Sequence, residues 1–396
     1  MITELTIQHF KSIDYASLKL HTTNVIVGPN GSGKSNIIDA IRFLSDCARD
    51  DIDTAVMRRH GIDSVRQWSR TRPYHITIEV KLKNALGEGG YQLVLSSSKG
   101  AYRILEEKGF WTGTNPREFR RADSPIQTSR FKRNEDGEIG VFSAFDDSKR
   151  PVRVDPDTLF LSTLAQRVGI PPYVLFRPIA RELTGFSAYA IYPNTLRQAQ
   201  LASREPVLLE DGSNLASILK RINSNRRFAR HKDNIVAGLR QIMSSATDFQ
   251  VRSAAGFFVP VIRVQESNGE AHDFNLSQIS DGTLRVLGLL TAFYQPDAPD
   301  IVAVEEPEQM IHPGALPIIS EAVADFARKR PDGDSQQAFI TTHSPPLLDL
   351  FDPKFVLWAK FEDGLTKCGP VSKRHLQLIK DQLFSPGEIL TSEGYF

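Results

Sequence analysis

Apolar positions near the N-terminus switch from a two-residue period to a helical one. The segments Leu5–Ile7 and Leu18–Leu20 alternate apolar and polar side chains, which predicts two short strands. Val25–Val27 is a compact apolar strand that stops at Gly28. Apolar residues then recur at helical spacing over 36–44, which predicts a helix with one buried face. The first 45 residues therefore indicate a strand, a glycine-rich turn and a helix in succession.

The middle of the chain has a less regular pattern. His75–Leu82 alternates with a period of two, and Tyr91–Ser96 can pair with it across a glycine-rich turn, so we predict an antiparallel hairpin. Residues 107–155 are polar with scattered glycine and proline, and we predict loops and short strands there. A helical pair is predicted at about 213–243, with Ser213 as the cap of the first helix.

Short apolar runs alternate with helical patterns in the C-terminal half. Phe257–Ile262 begins a strand-rich stretch, and a buried helix is predicted after Gly282. Ile301–Val304 and Ala338–Ile340 read as buried strands, with a helix over Ala315–Arg328 between them. Strands that alternate with helices in this way indicate an α/β fold.

Composition and charge narrow the classes of protein. The chain has 396 residues, of which 40% are hydrophobic and 24% charged, and its formal net charge is +1. These values are ordinary for a globular protein, and any affinity for nucleic acid must come from a local patch. Cys47 and Cys368 form no metal-type or disulfide pattern. Neither a signal peptide nor a run of about 20 apolar residues is present, so we expect a cytoplasmic protein.

The strongest motif is Gly28–Ser35, which fits G-x-x-x-x-G-K-[ST] at every fixed position. Glycines let backbone N–H groups turn inward around phosphate oxygens, and the following helix presents its positive end to the same anion. Lys34 can reach the β- and γ-phosphates, and the Ser35 hydroxyl can ligate Mg²⁺. The pattern predicts an ATP-binding P-loop.

A candidate Walker B strand ends in the acids Glu305 and Glu306. Such a strand brings its C-terminal acids close to the P-loop. Glu305 can then hold Mg²⁺, and Glu306 can orient and polarise the attacking water. The usual metal-side residue at this position is aspartate, so Glu305 is a departure. A strand that merely ends in solvated acids is the alternative, and the P-loop makes that alternative less favoured.

Two further features are weaker on their own. Ser280 and Gly282 precede a helix, where they can form another anion site, although on local grounds a simple capped helix start is slightly favoured. His343 follows the third apolar strand. A single histidine is more often a structural hydrogen-bonding residue than a catalytic one, and only the other motifs raise the interest of His343.

Taken in order, these motifs resemble the ABC-type ATPase heads of the RecF, SMC and OLD families, and most of all the compact RecF-like predicted AAA-type ATPases of bacteria. The likeness covers residues 1–85 and 255–360 strongly. Between them only Ile191–Arg197 and Glu210–Leu215 are familiar. It rests on the following segments: Leu5–Ile13, Val25–Asn36, Ile279–Arg285, Val304–Pro313 and Ile340–Pro345.

The resemblance implies a P-loop fold with a mixed central sheet, an antiparallel β subdomain and a partly helical insertion. It also implies four parts of the chain. Residues 1–85 would form an N-terminal lobe, 86–254 an insertion with the helical pair, 255–360 a C-terminal lobe with the later motifs, and 361–396 a tail.

The same likeness assigns roles to individual positions. Glu306, His343 and Lys34 would be catalytic, with His343 sensing the γ-phosphate. Ser35 and Glu305 would hold Mg²⁺. Ser280 and Gly282 would touch ATP bound to a second subunit, so a working site implies a homodimer. The residues expected to contact ATP are Gly28, Pro29, Asn30, Gly31, Ser32, Gly33, Lys34, Ser35, Asn36, Ser280 and Gly282.

Two segments depart from the transporter pattern, and the second of them favours the RecF and OLD side over a transporter ATPase. Ile279–Thr283 replaces the transporter-type Leu-Ser-Gly-Gly-Gln, and His312 follows the acids where transporters have an aspartate. The glutamine of the Q-loop is not assigned, and Gln67 and Gln166 are both candidates.

What the ATP cycle serves is left open by the sequence. A DNA-associated switch is the first hypothesis, because Lys220–Lys232 contains six basic residues and no acid, and Arg58–Arg72 contains five arginines and one aspartate. Aromatic residues are sparse there, so no single-strand stacking platform is expected. Solvated helix faces are the alternative reading of both stretches.

Two other hypotheses need no DNA. The ATPase would gate a separately encoded effector, as in anti-phage or toxin-like systems, or it would act as a slow nucleotide-gated clamp. The chain ends at Phe396, soon after His343. We therefore expect neither the C-terminal nuclease domain of OLD enzymes nor a nuclease activity in this chain.

Overall fold

The structure is a computed structural model, which describes residues 1–68, 75–98, 100–113, 126–143, 152–166, 173–328 and 336–392. Its strands are β1 (Ile2–Phe10), β2 (Ile13–Lys19), β3 (Thr23–Val27), β4 (Ile76–Asn84), β5 (Gly87–Ser98), β6 (Ala101–Gly113), β7 (Gln127–Arg133), β8 (Glu138–Ser143), β9 (Val152–Arg153), β10 (Phe186–Tyr189), β11 (Gln200–Leu201), β12 (Ala246–Ala254), β13 (Phe257–Gln265), β14 (Ala271–Asn275), β15 (Ile301–Glu305), β16 (Gln337–Thr342), β17 (Val356–Glu362) and β18 (Leu365–Pro370).

The helices of the described residues lie between these strands and after them. They are α1 (Lys34–Arg49), α2 (Ile52–Met57), α3 (Ile62–Val65), α4 (Phe160–Gln166), α5 (Tyr173–Thr184), α6 (Pro193–Arg197), α7 (Leu215–Ser224), α8 (Ala229–Ile242), α9 (Asp281–Tyr294), α10 (Leu316–Phe326), α11 (Pro345–Leu348), α12 (Lys373–Lys380) and α13 (Pro386–Ser392). Short 3-10 turns span Arg226–Phe228, Leu276–Gln278, Pro313–Ala315 and Pro353–Phe355. None of the described helices combines the length and apolarity needed to cross a lipid bilayer.

One large mixed sheet organises the molecule. Its strand order is β10-β15-β16-β3-β17-β18-β2-β1-β4-β5-β6-β7-β8-β9. The strands β10, β15, β16, β3 and β17 run parallel to one another, whereas β1, β4, β5, β6, β7, β8 and β9 are antiparallel to their neighbours. This arrangement confirms the predicted mixed sheet with an antiparallel subdomain.

Alternate side chains of the parallel strands enter two separate cores. Ile26, Ile301 and Phe339 are buried on the face that also contains α1, α4 and α5. Their neighbours Val25 and Val302 are buried on the opposite face, among α7, α8, α9 and α10. Strands buried on both faces read as continuous apolar runs, which explains why their sequences are uninterrupted by polar residues. Both cores hold the strands in place, so the ends of the strands are fixed relative to one another.

The insertion is partly helical, as predicted, and its strands β11 and β12 join β13 and β14 in a second small sheet. In that sheet β13 pairs with β11, β12 and β14. The helical pair is formed by α7 and α8, but the predicted cap at Ser213 is wrong. The helix begins at Leu215 with Asn214 in the cap position, and the Ser213 N–H donates to the Asp211 side chain 2.9 Å away.

The prediction of loops and short strands for 107–155 is only partly right over its described part, because β8 and β9 are short strands but the longer paired strands β6 and β7 were missed. The strand β6 has 13 residues, and it pairs with β7, which pairs with β8. The period of two was hidden because buried, inward-facing positions of these strands carry Glu107, Gly109 and Arg133 in place of apolar residues. Charged core residues therefore concealed a half-buried sheet.

The division into four parts stays a prediction. The main sheet draws strands from all four of the predicted segments, since β3, β6, β15 and β18 lie in residues 1–85, 86–254, 255–360 and 361–396 respectively.

Candidate nucleotide site

The ends of three neighbouring parallel strands meet at one edge of the main sheet. β16 lies between β15 and β3, and all three run in the same direction. The P-loop follows β3, the two candidate acids lie at the end of β15, and His343 follows β16. Ligands of open α/β sheets bind at the carboxyl ends of parallel strands. The topology thus brings together three motifs that are up to about 300 residues apart in the chain.

The turn between β3 and α1 is fixed by its own backbone and by a neighbouring hairpin. Gly33 has φ +93°, and a Cβ atom there would lie 2.0 Å from the Thr366 hydroxyl. That hydroxyl bonds to the Ser32 carbonyl at 3.0 Å and to the Ser12 hydroxyl at 2.6 Å. The Asn36 amide donates to Ser12 at 2.7 Å. Ser12 and Thr366 were missed by sequence reasoning, because they hold the P-loop without belonging to its motif.

Lys34 begins α1 and points back over the loop. Its ammonium donates to the carbonyls of Gly28 and Pro29 at 2.8 and 3.0 Å, and it lies 3.9 Å from Glu306. Burial lowers the pKa of Lys34, while the charges of Glu306, Glu308 and Glu305 act in the opposite direction. The exposed backbone of Pro29, Asn30 and Gly31 faces solvent beside it. A buried ammonium bound only by neutral carbonyls and a distant carboxylate is suited to receive an anion.

Ser35 and Glu305 are in direct contact. The Ser35 hydroxyl donates a hydrogen bond to a Glu305 carboxylate oxygen. A hydroxyl and a carboxylate side by side supply hard oxygen ligands of the kind that Mg²⁺ takes in nucleotide sites. The donor set therefore fits Mg²⁺ and phosphate, and the two residues proposed from sequence for the metal lie together.

Glu306 has an unusual backbone conformation for a glutamate, with φ +45°. Its N–H donates to the Thr341 carbonyl at 2.9 Å. Its carboxylate accepts from the Gln309 amide and lies 3.3 Å from Nδ1 of His343. Residues held in the left-handed region store strain and concentrate at functional sites. The pair proposed as catalytic from sequence is therefore brought together.

A third acid, Glu308, was missed by sequence reasoning. Its carboxylate accepts from the Thr342 hydroxyl at 2.7 Å and from the His343 backbone N–H at 3.3 Å. Its second oxygen is buried without a hydrogen-bond partner in the described structure. Glu308 thus ties the loop after β15 to the loop after β16. Its place two residues after Glu306 was the available signal.

Ser280 and Gly282 lie at the start of α9. Ser280 is exposed and caps the helix, since its hydroxyl accepts from the Thr283 N–H at 3.3 Å. Gly282 approaches the loop after β15, and a Cβ there would lie 2.8 Å from the Met310 carbonyl. Arg197 donates to the Ile279 carbonyl at 2.8 Å. The local capping explanation is therefore correct, and the proposed contact with a second subunit's ATP stays a prediction.

Neither candidate for the Q-loop glutamine is decided. Gln67 is buried, and its backbone N–H donates to the His9 carbonyl at 2.9 Å. Gln166 is the last residue of α4, and its side chain lies outside the described part.

The two basic stretches differ in their environment. In the first, Arg58 and Arg59 pair with aspartates of α1 and its C-terminus, and Arg66 pairs with Asp63. Residues 69–72 of that stretch lie outside the described residues. The three described arginines are thus neutralised within the chain, which removes much of the basis for a DNA contact there.

In the second stretch, three of the six basic residues are also engaged. Lys220 bonds to Ser253, Arg221 pairs with Asp297, and Lys232 pairs with Asp248. The exposed side chains that make no hydrogen bond or ion pair within the described residues are Arg226, Arg227 and Arg230. These three arginines, called the free arginine cluster below, are what remains of the predicted phosphate-binding stretch.

Comparison with known proteins agrees with this geometry. A solved Smc head, bound in its crystal to the C-winged helix domain of ScpA, covers 95% of this chain and 99% of its own, with a TM-score of 0.52 and 14% sequence identity. That similarity concerns the fold. The fold and the site together define an ABC-type ATPase head of the RecF and SMC kind, which confirms the resemblance inferred from the motifs.

Sequence relatives point the same way. Residues 23–349 match the family described as "AAA domain, putative AbiEii toxin, Type IV TA system", and the chain belongs to this family. The DNA replication and repair protein RecF of Porphyromonas gingivalis is 31% identical over 107 residues, 26% of each chain. Structural maintenance of chromosomes protein 4 of Saccharomyces cerevisiae is 33% identical over 112 residues, 27% of this chain and 7% of that protein. The matches thus span only a minor part of these curated relatives.

Proposed function

We propose that this protein binds ATP with Mg²⁺ and hydrolyses it at the edge of the main sheet where β3, β15 and β16 end. One observation carries the proposal. Lys34, Ser35, Glu305, Glu306 and His343 come from three separate strand ends, yet they form two adjacent sets of contacts, Lys34–Glu306–His343 and Ser35–Glu305. Family membership supports the same conclusion, because the chain belongs to a family of AAA-type ATPase domains.

Each residue of this set has a distinct task. Lys34 and the N–H groups of the P-loop bind the phosphates. Ser35 and Glu305 supply oxygen ligands to Mg²⁺, which when bound neutralises charge on the phosphate oxygens. Glu306 orients the attacking water and accepts its proton, and His343 holds the Glu306 carboxylate from the side. This division of roles is typical of phosphoryl transfer, in which positioning of the reactants and electrostatic stabilisation provide most of the catalysis.

A second copy of the chain completes the site in this proposal. Ser280 and Gly282 stand at the exposed start of α9 and would contact ATP held by the other subunit. An isologous dimer then contains two equivalent sites. ATP binding closes the dimer and hydrolysis reopens it.

We further propose that the cycle acts on DNA. The free arginine cluster supports this, because three exposed cations without partners within the described residues break no internal ion pair when they bind phosphates. The alternative is that the ATPase gates a separately encoded effector protein. The family description, which names a toxin of a type IV toxin–antitoxin system, favours that second candidate.

The ATPase proposal is tested by measuring ATP binding and phosphate release for the wild type and for Lys34→Ala. We expect the wild type to bind ATP and turn it over, and Lys34→Ala to lose most of its ATP affinity. Lys354→Ala is a matched control, since Lys354 is exposed and forms an ion pair with Asp352 outside the site. Absence of ATP turnover in the wild type, with and without DNA, would contradict the proposal.

The dimer is tested by light scattering with ATP and Mg²⁺. The wild type is expected to shift from monomer to dimer, and Ser280→Arg to remain monomeric while still binding ATP. A Ser280→Arg variant that dimerises as the wild type does would show that α9 is not part of the interface.

The DNA role and the effector role are distinguished by measuring the ATPase rate with and without duplex DNA at low salt. Stimulation that disappears when Arg226, Arg227 and Arg230 are changed to glutamate supports the DNA role. An unchanged rate at low salt removes the DNA role and leaves the effector model as the better one.

A further inference from the structure

The side chain of Arg285 lies beneath the candidate catalytic acids. Arg285 is on α9, one and a half turns after Ser280, and it is 2% exposed. Its Nη2 atom donates to the main-chain carbonyls of Glu305 and Glu306 at 3.4 and 3.3 Å, and its Nη1 atom donates to the Ile191 carbonyl. The guanidinium thus holds the backbone of both acids.

This environment is unusual for a buried cation. Within the described residues Arg285 has no carboxylate within salt-bridge distance, and its Nε atom has no hydrogen-bond partner. Burial lowers the pKa of Arg285, while Tyr192, Glu308 and Glu306 oppose that shift. The guanidinium also lies 5.6 Å from the centre of the Tyr192 ring. A buried charge that contacts only neutral carbonyls and an aromatic ring is costly to keep. A role in the site explains why the cation is there, whereas a role in packing would be served by an apolar side chain.

The conformation of Glu306 indicates what that role is. Glu306 is in the left-handed region at φ +45°, which a side chain adopts only when its surroundings hold it there. Its N–H is held by the Thr341 carbonyl at 2.9 Å, and its own carbonyl is held by Arg285. We propose that Arg285 is a positioning residue, which fixes the Glu306 backbone so that its carboxylate points at the attacking water. This inference rests on the proposed ATPase function.

The proposal predicts a loss of turnover without a loss of binding. Arg285→Met keeps an unbranched apolar stem but removes all five donors of the guanidinium. We expect its kcat to fall on the order of 100-fold, as misplacement of a reacting group by about 1 Å does, while its Kd for ATP changes less than about threefold. Arg285→Lys retains one donor group and is expected to recover part of kcat.

A matched control is Arg240→Met. Arg240 also holds two backbone carbonyls, those of Ala246 and Thr247 at 2.9 and 3.3 Å, but it lies at the end of α8 and outside the site. It should leave kcat within about threefold of the wild type. Thermal unfolding of both variants is measured in parallel, and Arg285→Lys replaces Arg285→Met if the methionine variant does not fold.

The decisive measurement is a double-mutant cycle of single-turnover rates with Glu306→Gln. If Arg285 acts through Glu306, the double variant Arg285→Met, Glu306→Gln is no slower than Glu306→Gln alone. If the two losses multiply, Arg285 acts by another route and the proposal is overturned. An equal fall in ATP affinity and kcat for Arg285→Met would also overturn it. Failure of the wild type to hydrolyse ATP is a different result, since it removes the ATPase function itself.

Discussion

Two glutamates of the main sheet, Glu107 and Glu306, show how differently the fold treats the same side chain. Glu107 lies in the antiparallel part and is fully buried. Its oxygens accept from the Phe160 and Leu161 N–H groups at 2.7 and 2.8 Å and from the Tyr91 hydroxyl at 3.0 Å. Glu306 lies at the edge of the parallel part, and its carboxylate is half-buried beside Lys34 and His343.

The two carboxylates differ in how many of their hydrogen-bond acceptor positions remain available to a ligand. Glu107 caps the start of α4, and Arg133 lies 3.9 Å away with its own donors spent on main-chain carbonyls. Burial raises the pKa of Glu107, and the two N–H donors and Arg133 oppose that shift. A carboxylate whose bonds are filled by the protein stabilises the fold. A carboxylate that still has unused hydrogen-bond acceptor positions, and that lies beside a cation on a strained backbone, is available for chemistry.

The largest expected effect is on turnover, from Glu306→Gln. The amide keeps the shape of the side chain but cannot accept a proton from water, so kcat is expected to fall about 10²- to 10⁴-fold. Phosphate release measures this, and the closed ATP dimer should accumulate in light scattering. The midpoint of thermal unfolding should stay close to that of the wild type. Glu321→Gln, an exposed change on α10, is the control.

Glu107→Ala is expected to lower the stability of the fold, whereas Glu306→Gln lowers turnover. It removes the partner of two backbone N–H groups and of the Tyr91 hydroxyl, and it leaves Arg133 buried without a counter-charge. The free energy of unfolding should fall by about 3–5 kcal/mol. Urea unfolding measures it. The adjacent Glu106 makes only partly exposed pairs with Lys108 and Lys132, so Glu106→Ala should cost no more than about 1 kcal/mol. Equal losses for the two variants would refute the distinction drawn between these acids.

The P-loop follows β3 in the parallel part of the sheet and contacts Thr366 of β18. Two of its glycines allow a third test. Gly33→Ala meets both a positive φ and the Thr366 side chain, whereas Gly31→Ala meets only a φ of +78° with nothing within 4 Å. We expect Gly31→Ala to cost about 1–2 kcal/mol of stability from backbone strain and Gly33→Ala to cost more. Chemical unfolding compares them. Similar losses in the free energy of unfolding would show that the Thr366 side chain moves away from the added methyl group at no measurable cost in stability.

Sequence reasoning predicted the parallel part of the molecule better than the antiparallel part, for physical reasons. The P-loop and the acids after β15 are local patterns, since the backbone that binds phosphate is made by consecutive residues. The contributions of Thr366 and Arg285 depend on neighbours far away in sequence. Long-range contacts of this kind leave no period and no motif of their own. The strands β6 and β7 were missed because Glu107 and Arg133 occupy positions that a sheet normally fills with apolar side chains.

The smallest expected effect concerns the two basic stretches. They show the same contrast, between charged groups that have a partner within the protein and charged groups that do not. Arg58, Arg59 and Arg66 have aspartate partners, whereas the free arginine cluster has none within the described residues. Each phosphate contact contributes about 0.9 to the slope of log K against log salt. Changing Arg226, Arg227 and Arg230 to alanine should therefore flatten that slope by up to about 2.7, measured by fluorescence anisotropy with a duplex of random sequence.

The paired arginines provide the control for this measurement. Arg66→Ala should leave the slope unchanged, because Arg66 already forms an ion pair with Asp63 at 2.8 Å. A slope that falls as much for Arg66→Ala as for a single change in the free arginine cluster would mean that internal ion pairs do not decide which cations reach DNA. A slope near zero for the wild type would mean that the cluster does not bind DNA phosphates, and the effector model would then be the better one.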